Sequence, residues 1–515
     1  METTNNSSKE TDNRLTNNYK DDRNVMNKNL YVAAFVALLG PAMMGYTMAY
    51  TSPAIPDMES RELFKTTDQI SWFGSLLAVG AIVGGPIAGF CVHNLGRKYA
   101  MMLCSLPFVV GYGLIASIDN LATLYTGRIL TGIGTGMASL TTPVYIAELS
   151  RPDLRGMLVG GFQLFLCVGI LLVNALGISL SYVWLAAVGC AISTLLGVLM
   201  MFMPETPHYC IMKHKMNKAL SVLTLLRGGE YNVNHEYKDI ADDIRSKSDD
   251  FQCKEFFKPN LYIPLVISVI LMMFVQFSGI NAVGFYTVTI FQKSSPSVDG
   301  NVAVVIVTAA QVVATIVSVL LIDRIGRKIL LIMAGMGMCL SASAFGLYYK
   351  LTENTANGTS INDVNYTEST SIPPISSDLT WLSLTSVIVY TSSFSFAWGA
   401  VPLVVVSEIL PTRAKGPASA IAITVAWLSA FVVTKEFFKM SVVMSDAGVF
   451  WFFGGVCLLS VIFVALCVPE TKGRSLEEIS KHFQRNLKRA RAASSVGKSG
   501  GPPRGARGNI PGAQT

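Results

Sequence analysis

Charged side chains are scarce in this chain. Only 14% of its 515 residues are Asp, Glu, Lys or Arg, and 51% are apolar. A soluble protein carries about 25% charged residues. A chain of this length that folds in water needs more polar surface than this, so the composition excludes a soluble enzyme. The 9 cysteines are too sparse for a disulfide scaffold, and we interpret them as small packing residues.

Several chemical signatures are missing as well. The sequence has no phosphate-binding loop of the G-x-x-x-x-G-K-[ST] type, so nothing indicates ATP as an energy source. The five histidines lack metal-ligand spacing, and we expect neither a metal nor a cofactor. No cleavable signal peptide is predicted, because residues 1–29 are polar and rich in asparagine.

Long apolar runs fill the rest of the chain. A helix needs about 20 apolar residues to cross a bilayer, and it satisfies its own backbone hydrogen bonds there. The runs are 30–50, 69–91, 99–118, 121–146, 157–178, 182–203, 261–290, 300–322, 329–349, 379–407, 416–438 and 447–468. We therefore predict an all-α multi-pass membrane protein with twelve transmembrane helices.

Basic residues predict the orientation of the chain, because Lys and Arg mark the cytoplasmic side. Arg97-Lys98, Arg327-Lys328, the 204–260 segment and the 469–515 tail all fall on one side. Both termini are predicted on this cytoplasmic side, and the 350–378 loop is predicted on the opposite, extracellular or lumenal side. In that loop Asn357 and Asn365 begin N-x-[ST] sequons, which predict glycosylation there.

The net charge of +7 belongs to one end of the chain. The 469–515 tail has ten basic and three acidic residues, a net of +7, and the other 468 residues carry 30 charges of each sign. The excess therefore does not indicate nucleic-acid binding. We expect a disordered tail that lies against the anionic cytoplasmic leaflet.

The two halves of the chain repeat each other. Three motifs recur in the same order at cytoplasmic helix ends. Gly96-Arg97-Lys98 recurs as Gly326-Arg327-Lys328, Glu148 with Arg155-Gly156 as Glu408 with Lys415-Gly416, and Pro204-Glu205-Thr206 as Pro469-Glu470-Thr471. This pattern predicts two six-helix halves in parallel orientation, 30–203 and 261–468, joined by a cytoplasmic linker at 204–260 with short helices. The segments 1–29 and 469–515 are then cytoplasmic tails.

Recurring charges at helix ends suit a carrier that opens to one side at a time. Ion pairs there could hold the two halves together and later release them. The gating candidates are Arg97, Glu148, Arg155 and Glu205 in the first half, and Arg327, Glu408, Arg413, Lys415 and Glu470 in the second. The alternative for the basic residues is that they only anchor the helix ends. Arg128, at the start of the fourth run, is expected near the interface and could join the same network.

Amide side chains inside the runs are the candidate substrate ligands: Gln163, Gln276, Asn281 and Gln311. An amide offers both a donor and an acceptor, which suits a neutral substrate rich in hydroxyl groups. Hydrogen bonding between helices is the alternative. Gln276 and Asn281 flank Gly279 at a predicted helix break, and broken helices line binding cavities.

The first run contains no carboxylate. Gly45-Tyr46-Thr47 is neutral throughout, whereas a proton-coupled carrier usually needs a titratable group within the membrane. The sequence therefore favours passive uniport.

The chain resembles the sugar porter family of the major facilitator superfamily over residues 30–485. The strings that carry the resemblance are TPVYIAELSRPDLRG (142–156), PETP (204–207), VQFSGINAVGFY (275–286), DRIGRK (323–328) and CVPETKGRSLEEI (467–479). YTSPAIPD (50–57), SEILPTRAKG (407–416) and WLSAFVVTKEF (427–437) look most like class III facilitative glucose transporters, members 6 and 8.

The resemblance implies roles for several residues. Gln163, Gln276 and Asn281 match sugar-binding amides of the family, and Gln311 falls where another amide contact is common. Tyr286 matches an outside gate aromatic, and Trp427 matches a tryptophan of the eleventh helix that we include among the substrate ligands.

The chain departs from the family pattern at Val275, Leu403 and Ala426, where the family usually has Gln, Trp and Asn. These changes remove polar or stacking contacts from the expected site, and each lost hydrogen bond is worth about 0.5–1.5 kcal/mol. His93-Asn94 and His208 replace further charged residues of the family, and the first of these changes predicts a shifted balance between inward and outward states.

The main hypothesis from the sequence is facilitative hexose transport, with glucose foremost, by alternating access. The alternatives are a carrier for another neutral solute such as trehalose, a proton-coupled sugar symporter, and a sugar sensor that does not transport. Neither terminal segment contains a [DE]-x-x-x-L-[LI] signal, so we expect the plasma membrane, with the endosomal or lysosomal membrane as the alternative.

Overall fold

A computed structural model describes residues 28–117, 120–151, 154–228, 233–246, 259–294, 299–359, 377–410 and 415–472. The described part of the chain is helical and contains no strand. The α-helices are α1 (Lys28–Ala49), α2 (Thr51–Ser60), α3 (Thr67–Asn94), α4 (Arg97–Ser117), α5 (Leu121–Leu149), α6 (Arg155–Gly177), α7 (Tyr182–Phe202), α8 (Pro207–Met212), α9 (Met216–Arg227), α10 (Val233–Ser246), α11 (Pro259–Phe277), α12 (Ile280–Ser294), α13 (Gly300–Ile325), α14 (Arg327–Thr359), α15 (Ser377–Ser393), α16 (Val401–Ile409) and α17 (Lys415–Cys467). A π-helical segment, Phe394–Trp398, lies between α15 and α16.

Twelve membrane crossings are assembled from these helices. Among the described residues, 10 continuous helical segments are long and apolar enough to cross a bilayer. One of them, α17, is 53 residues long and bends at Ser445, whose φ of 65° lies outside the helical region, so it supplies two crossings. The 29-residue α5 supplies the twelfth. The prediction of an all-α, twelve-helix membrane protein is confirmed.

Helix α5 has a moderate apolar content because it is built around close backbone contact. A Cβ on Gly80 of α3 would lie 2.1 Å from the carbonyl oxygen of Ile129, and a Cβ on Gly132 would lie 2.3 Å from that of Leu77. Only glycine permits this separation between the two helices. Small residues of this kind drive helix association in a bilayer, where apolar burial gives little advantage.

The crossings form two groups. In the first, α3 and α4 pack on α5, α4 also packs on α7, and α1 packs on α6. In the second, α14 and α11 pack on α17, and α15 packs on α13 and α14. The groups meet where α3 contacts α17, α6 contacts α13 and α2 contacts α12. The first two contacts are related by the repeat, because each joins the second crossing of one half to the fifth crossing of the other.

The segments between crossings differ in part from expectation. Helix α14 continues to Thr359, so the first ten residues of the segment predicted as the 350–378 loop are helical. Polar residues extend a helix because its hydrogen bonds are made by the backbone. Asn357 lies in the last turns of α14, while Asn365 and the tail from residue 473 lie outside the described residues. Between the two groups, α8, α9 and α10 are short helices.

Candidate functional site

A break in the seventh crossing separates α11 from α12 at Ser278 and Gly279, as the sequence predicts. Gly279 has a φ of +89°, which favours glycine, and a Cβ there would lie 2.5 Å from the ring of Phe453. The hydroxyl of Tyr390 donates to the carbonyl of Ser278 over 2.5 Å. The break is therefore built into the packing of the second half.

The two amides that flank this break contact each other. Asn281 Nδ2 donates to Gln276 Oε1 over 2.5 Å. Asn281 is 8% exposed, and Gln276 is half-buried. One hydrogen bond uses a single donor of Asn281 and a single acceptor site of Gln276. The pair therefore retains both kinds of group for a hydroxyl-rich ligand.

The Gln163 side chain and the backbone carbonyl of Gln311 lie at opposite ends of a hydrogen-bonded chain between the two groups of helices. Gln163 Nε2 lies 3.7 Å from Cys167 Sγ, and this sulfur lies 3.3 Å from Thr315 Oγ1. The Thr315 hydroxyl donates to the backbone carbonyl of Gln311 over 2.8 Å. Because its single proton is used there, the Cys167 thiol is the donor in the contact between Cys167 and Thr315. A Cβ on Gly399 would lie 2.8 Å from Gln163 Nε2, which places this amide against the tenth crossing.

Trp427 lies in an apolar cluster at the same boundary. It packs with Ala430 of its own helix and with Met44, Ala78, Ala81, Leu166 and Cys167 of the first half. Residues adjacent to two of the candidate amides, Phe162 and Val312, pack against this cluster. The indole is therefore close to the Gln163–Gln311 chain, at the place where the halves meet.

Tyr286 lies at the end of the bundle opposite the predicted cytoplasmic side, which we call the outer end. Its ring is fully buried and stacks on Phe437 at 5.5 Å between centroids. Its hydroxyl donates to the carbonyl of Thr434 over 3.3 Å. A Cβ on Gly74 of α3 would lie 2.5 Å from the same hydroxyl, so Tyr286 presses on the first half. Ser52 Oγ also accepts from the amide of Val288 over 3.3 Å, and the outer end is closed here.

Three of the four first-half gating candidates, Arg97, Glu148 and Glu205, form one network at the predicted cytoplasmic end. Arg97 donates to Glu148 over 2.7 Å. Glu205 Oε1 accepts from the backbone amides of Arg97, Lys98 and its own neighbour Thr206 over 3.0, 3.1 and 2.9 Å. Burial raises the pKa of the Glu205 carboxyl, while these amides and Arg97 oppose that shift. A Cβ on Gly96 would lie 2.3 Å from Glu205 Oε2, so only glycine admits the carboxylate.

The second half repeats the ion pair and the backbone-to-carboxylate bonds of this network at equivalent residues. Arg327 donates to Glu408 over 3.3 Å, and the amides of Arg327 and Lys328 donate to Glu470 over 3.1 and 3.2 Å. Gly326 has a φ of +105°, against +108° for Gly96. Both ion pairs join helices of the same half. Their role in gating therefore stays a prediction.

The structure describes less of the remaining gating candidates. Arg155 begins α6, but its side chain lies outside the described residues, as does all of Arg413. Lys415 begins α17 and is half-buried. The side chain of Arg128 is fully buried within the first half and takes no part in the Arg97–Glu148 network. It donates to the carbonyls of Phe73 and Thr47 and to Thr51 Oγ1 over 3.2, 3.1 and 2.8 Å.

An ion pair that was not predicted from the sequence joins the two halves at the outer end. Lys435 Nζ of α17 lies 2.5 Å from Asp68 Oδ1 of α3. A signal for it was present, because Lys435 is a charged residue inside the apolar run 416–438. An ionisable residue within a crossing is a functional candidate by default, and its partner has to be sought.

Comparison with known proteins identifies the family. The family model described as "Sugar (and other) transporter" matches residues 32–483. The chain belongs to this sugar transporter family. It is a transporter and not an enzyme.

Curated relatives of this sugar transporter agree with that assignment. The chain is 38% identical over 460 residues to the Bos taurus protein "Solute carrier family 2, facilitated glucose transporter member 8", covering 89% of this chain and 95% of the relative. It is 36% identical over 475 residues to the "Facilitated trehalose transporter Tret1" of Apis mellifera ligustica, covering 90% of each. The resemblance to class III facilitative glucose transporters is confirmed.

A solved structure shares the fold. The inward open conformation of the xylose transporter XylE from E. coli matches with a TM-score of 0.70 and 25% identity, covering 88% of this chain and 99% of that one. This sugar transporter family member therefore has the major facilitator fold, with two six-helix pseudo-repeats, and is a multi-pass membrane protein.

Proposed function

We propose that this protein carries a neutral sugar, with glucose and other hexoses foremost, down its concentration gradient by alternating access. The observation that carries the proposal is the Gln276–Asn281 pair at the break between α11 and α12. These uncharged amides can exchange their mutual hydrogen bond for bonds to sugar hydroxyls. The relative named as a facilitated glucose transporter supports the choice of substrate.

The two halves change their relative orientation at the contacts between them during transport. The outer end is closed around Tyr286, and the Gln163–Cys167–Thr315 chain crosses the boundary deeper in the bundle. Rocking of the halves about the α3–α17 and α6–α13 contacts opens one end as it closes the other. We propose that Gln163, Gln311 and Trp427 contact the sugar at this boundary, while Tyr286 closes over it.

The surroundings of Arg128 favour uniport over proton coupling. Its guanidinium donates to two carbonyl oxygens and one hydroxyl, and none of these three groups takes up or releases a proton near neutral pH. A charged carboxylate partner at this place would supply a titratable group within the membrane. The neutral oxygens leave the arginine bound without one.

Uptake by the purified protein in proteoliposomes tests the proposal. We expect saturable uptake of labelled glucose that unlabelled glucose competes for and that stops at equal concentrations on both sides. Trehalose uptake without hexose uptake would favour the second candidate, a disaccharide carrier, which the honeybee relative's name supports. Accumulation driven by an imposed pH gradient would show symport, and sugar binding without countertransport would show a sensor.

The membrane and the topology are part of the same proposal. We propose the plasma membrane, with the termini, the 204–260 linker and the basic 469–515 tail on the cytoplasmic side, and the halves 30–203 and 261–468 as the moving units. Asn357 and Asn365 then face outward and carry glycans. Imaging of a tagged chain tests the membrane, and loss of a mass shift in the Asn357→Gln and Asn365→Gln variants tests glycosylation.

A further inference from the structure

Lys435 is a cation enclosed between the two halves. Its side chain is 8% exposed, whereas that of its partner Asp68 is 56% exposed. The ammonium also lies 4.8 Å from the centroid of the Trp72 ring, within cation–π distance. Asp68 and Trp72 both belong to α3. Both contacts of this lysine therefore cross from the second half to the first.

The pair lies on the boundary between the two halves at the outer end, which we call the outer seam. The other contacts that close the outer end lie on the same boundary. The residue before Lys435, Thr434, accepts the hydrogen bond from Tyr286. The ring of Phe431, one turn earlier in α17, packs on Trp72 at 6.0 Å. An outward opening has to separate the outer ends of α3 and α17. It therefore breaks the ion pair and the cation–π contact together.

The two partners differ in what they lose when the pair is broken. Asp68 is largely solvated and can keep its charge without Lys435. The lysine is enclosed, and an unpaired charge in such a place is costly. Removing the carboxylate therefore penalises the closed outer end, because only in that state is the ammonium held away from water. Replacing the lysine by an apolar side chain leaves the packing on Trp72 in place.

We propose that Asp68 and Lys435 form a latch that holds the outer end closed and sets the ratio of outward-open to inward states. This proposal rests on the alternating access proposed above. The latch acts on conformation and touches no substrate. Asp68 and Lys435 are accordingly positioning residues of the transport cycle.

Accessibility of a reporter cysteine at the outer end tests the latch. Ser52 is 1% exposed and bonded to the backbone of Val288 across the seam, so Ser52→Cys places a thiol that reacts only when this seam opens. The full chain is reconstituted in nanodiscs and treated with a positively charged methanethiosulfonate reagent. Each variant is measured with and without Ser52→Cys, so that the reaction of native cysteines is subtracted.

The expected results follow from the asymmetry of the pair. Asp68→Asn should raise the labelling rate of the reporter about tenfold, which corresponds to about 1.4 kcal/mol. Lys435→Met should raise it less, and the double variant should behave like Lys435→Met, because the enclosed charge is gone. Arg61→Gln is the matched control. Arg61 also lies at the outer end, but it pairs with Asp57 of its own half over 3.3 Å, so its removal should leave the rate unchanged.

Three results would overturn the latch. One is an unchanged labelling rate in both single variants, and another is an equal rise in the Arg61→Gln control. Additive effects of the two substitutions in the double variant would also contradict it, because uncoupled residues do not form a latch. Melting temperatures measured in parallel identify any variant that fails to fold, and Lys435→Met, which keeps the packing, is then the informative one. The labelling reports the outer seam without any sugar, so failure of the latch is distinguishable from failure of sugar uptake.

Discussion

Thr206 donates its hydroxyl to Glu148 Oε2 over 2.6 Å, and the second half lacks the corresponding bond. There, Thr471 Oγ1 and Glu408 Oε2 are both buried, and neither has a hydrogen-bond partner in the part of the chain that the structure describes. The ion pair beside them is also longer, 3.3 Å for Arg327–Glu408 against 2.7 Å for Arg97–Glu148. The repeat therefore supplies the same residues to both networks but a tighter geometry to the first.

Thr206→Val should destabilise the protein more than Thr471→Val does. The first change removes a hydrogen bond to a charged carboxylate, worth about 1.5–3 kcal/mol, and also the bond that the Thr206 hydroxyl accepts from the Tyr209 amide at the start of α8. The second removes a hydroxyl that has no partner among the described residues. Valine matches threonine in shape, so packing changes little in either variant. Thermal unfolding in the same detergent measures the difference. Equal losses of stability in the two variants would contradict the asymmetry.

Gly80→Ala should impair folding, while Gly85→Ala in the same helix should be neutral or stabilising. A methyl group on Gly80 meets the backbone of α5 at 2.1 Å, and nothing lies within 4 Å of a methyl group on Gly85. Overpacking of this kind costs about 1–3 kcal/mol, and alanine is favoured over glycine in a helix by about 0.8–1.0 kcal/mol. Yield of monodisperse protein and melting temperature measure both effects. A Gly80→Ala variant as stable as Gly85→Ala would contradict the close contact.

Local signals made much of this molecule predictable. Apolar length predicted the crossings, and the recurrence of Gly-Arg-Lys and Pro-Glu-Thr predicted that Arg97 and Arg327 occupy equivalent places. The break at Gly279 was predicted because glycine follows serine between two polar amides. Each of these features depends on neighbouring residues, so a single sequence displays it.

Contacts between distant segments were not predictable in the same way. Asp68 and Lys435 are separated by 367 positions, and the residues around each of them do not indicate that the two form a pair. The position of Arg128 at the start of the fourth apolar run likewise did not predict its partners. Its burial depends on the oxygens of Thr47, Thr51 and Phe73, which only the packed bundle brings together.

Substitution of Arg128 should destabilise the protein even when the charge is kept. Arg128→Lys replaces a planar fork by a single ammonium, which cannot reach three acceptors on α1, α2 and α3 with the same geometry. Leaving a buried charge or its acceptors unsatisfied costs about 3–5 kcal/mol. Arg61→Lys is the control, because Arg61 pairs with Asp57 on the surface and should change stability by less than about 1 kcal/mol. Chemical or thermal unfolding compares them, and equal effects of the two substitutions would contradict the role of Arg128.

Asn281→Ala should raise the KM for sugar uptake while the protein remains folded. The change removes one partner of the Gln276–Asn281 pair and, under the proposed function, one or two hydrogen bonds to the substrate. At about 0.5–1.5 kcal/mol for each bond, the KM rises about 2-fold to 100-fold. Thr194→Val is the control, because this exposed hydroxyl of α7 donates to the carbonyl of Cys190 in its own helix, away from the helix break. Uptake over a range of sugar concentrations, together with melting temperatures, separates lost binding from lost structure. The Asn281 side chain lies beside the helix break, so a sugar bound at the break has to contact it. An unchanged KM in Asn281→Ala would therefore place the sugar elsewhere along the boundary between the halves.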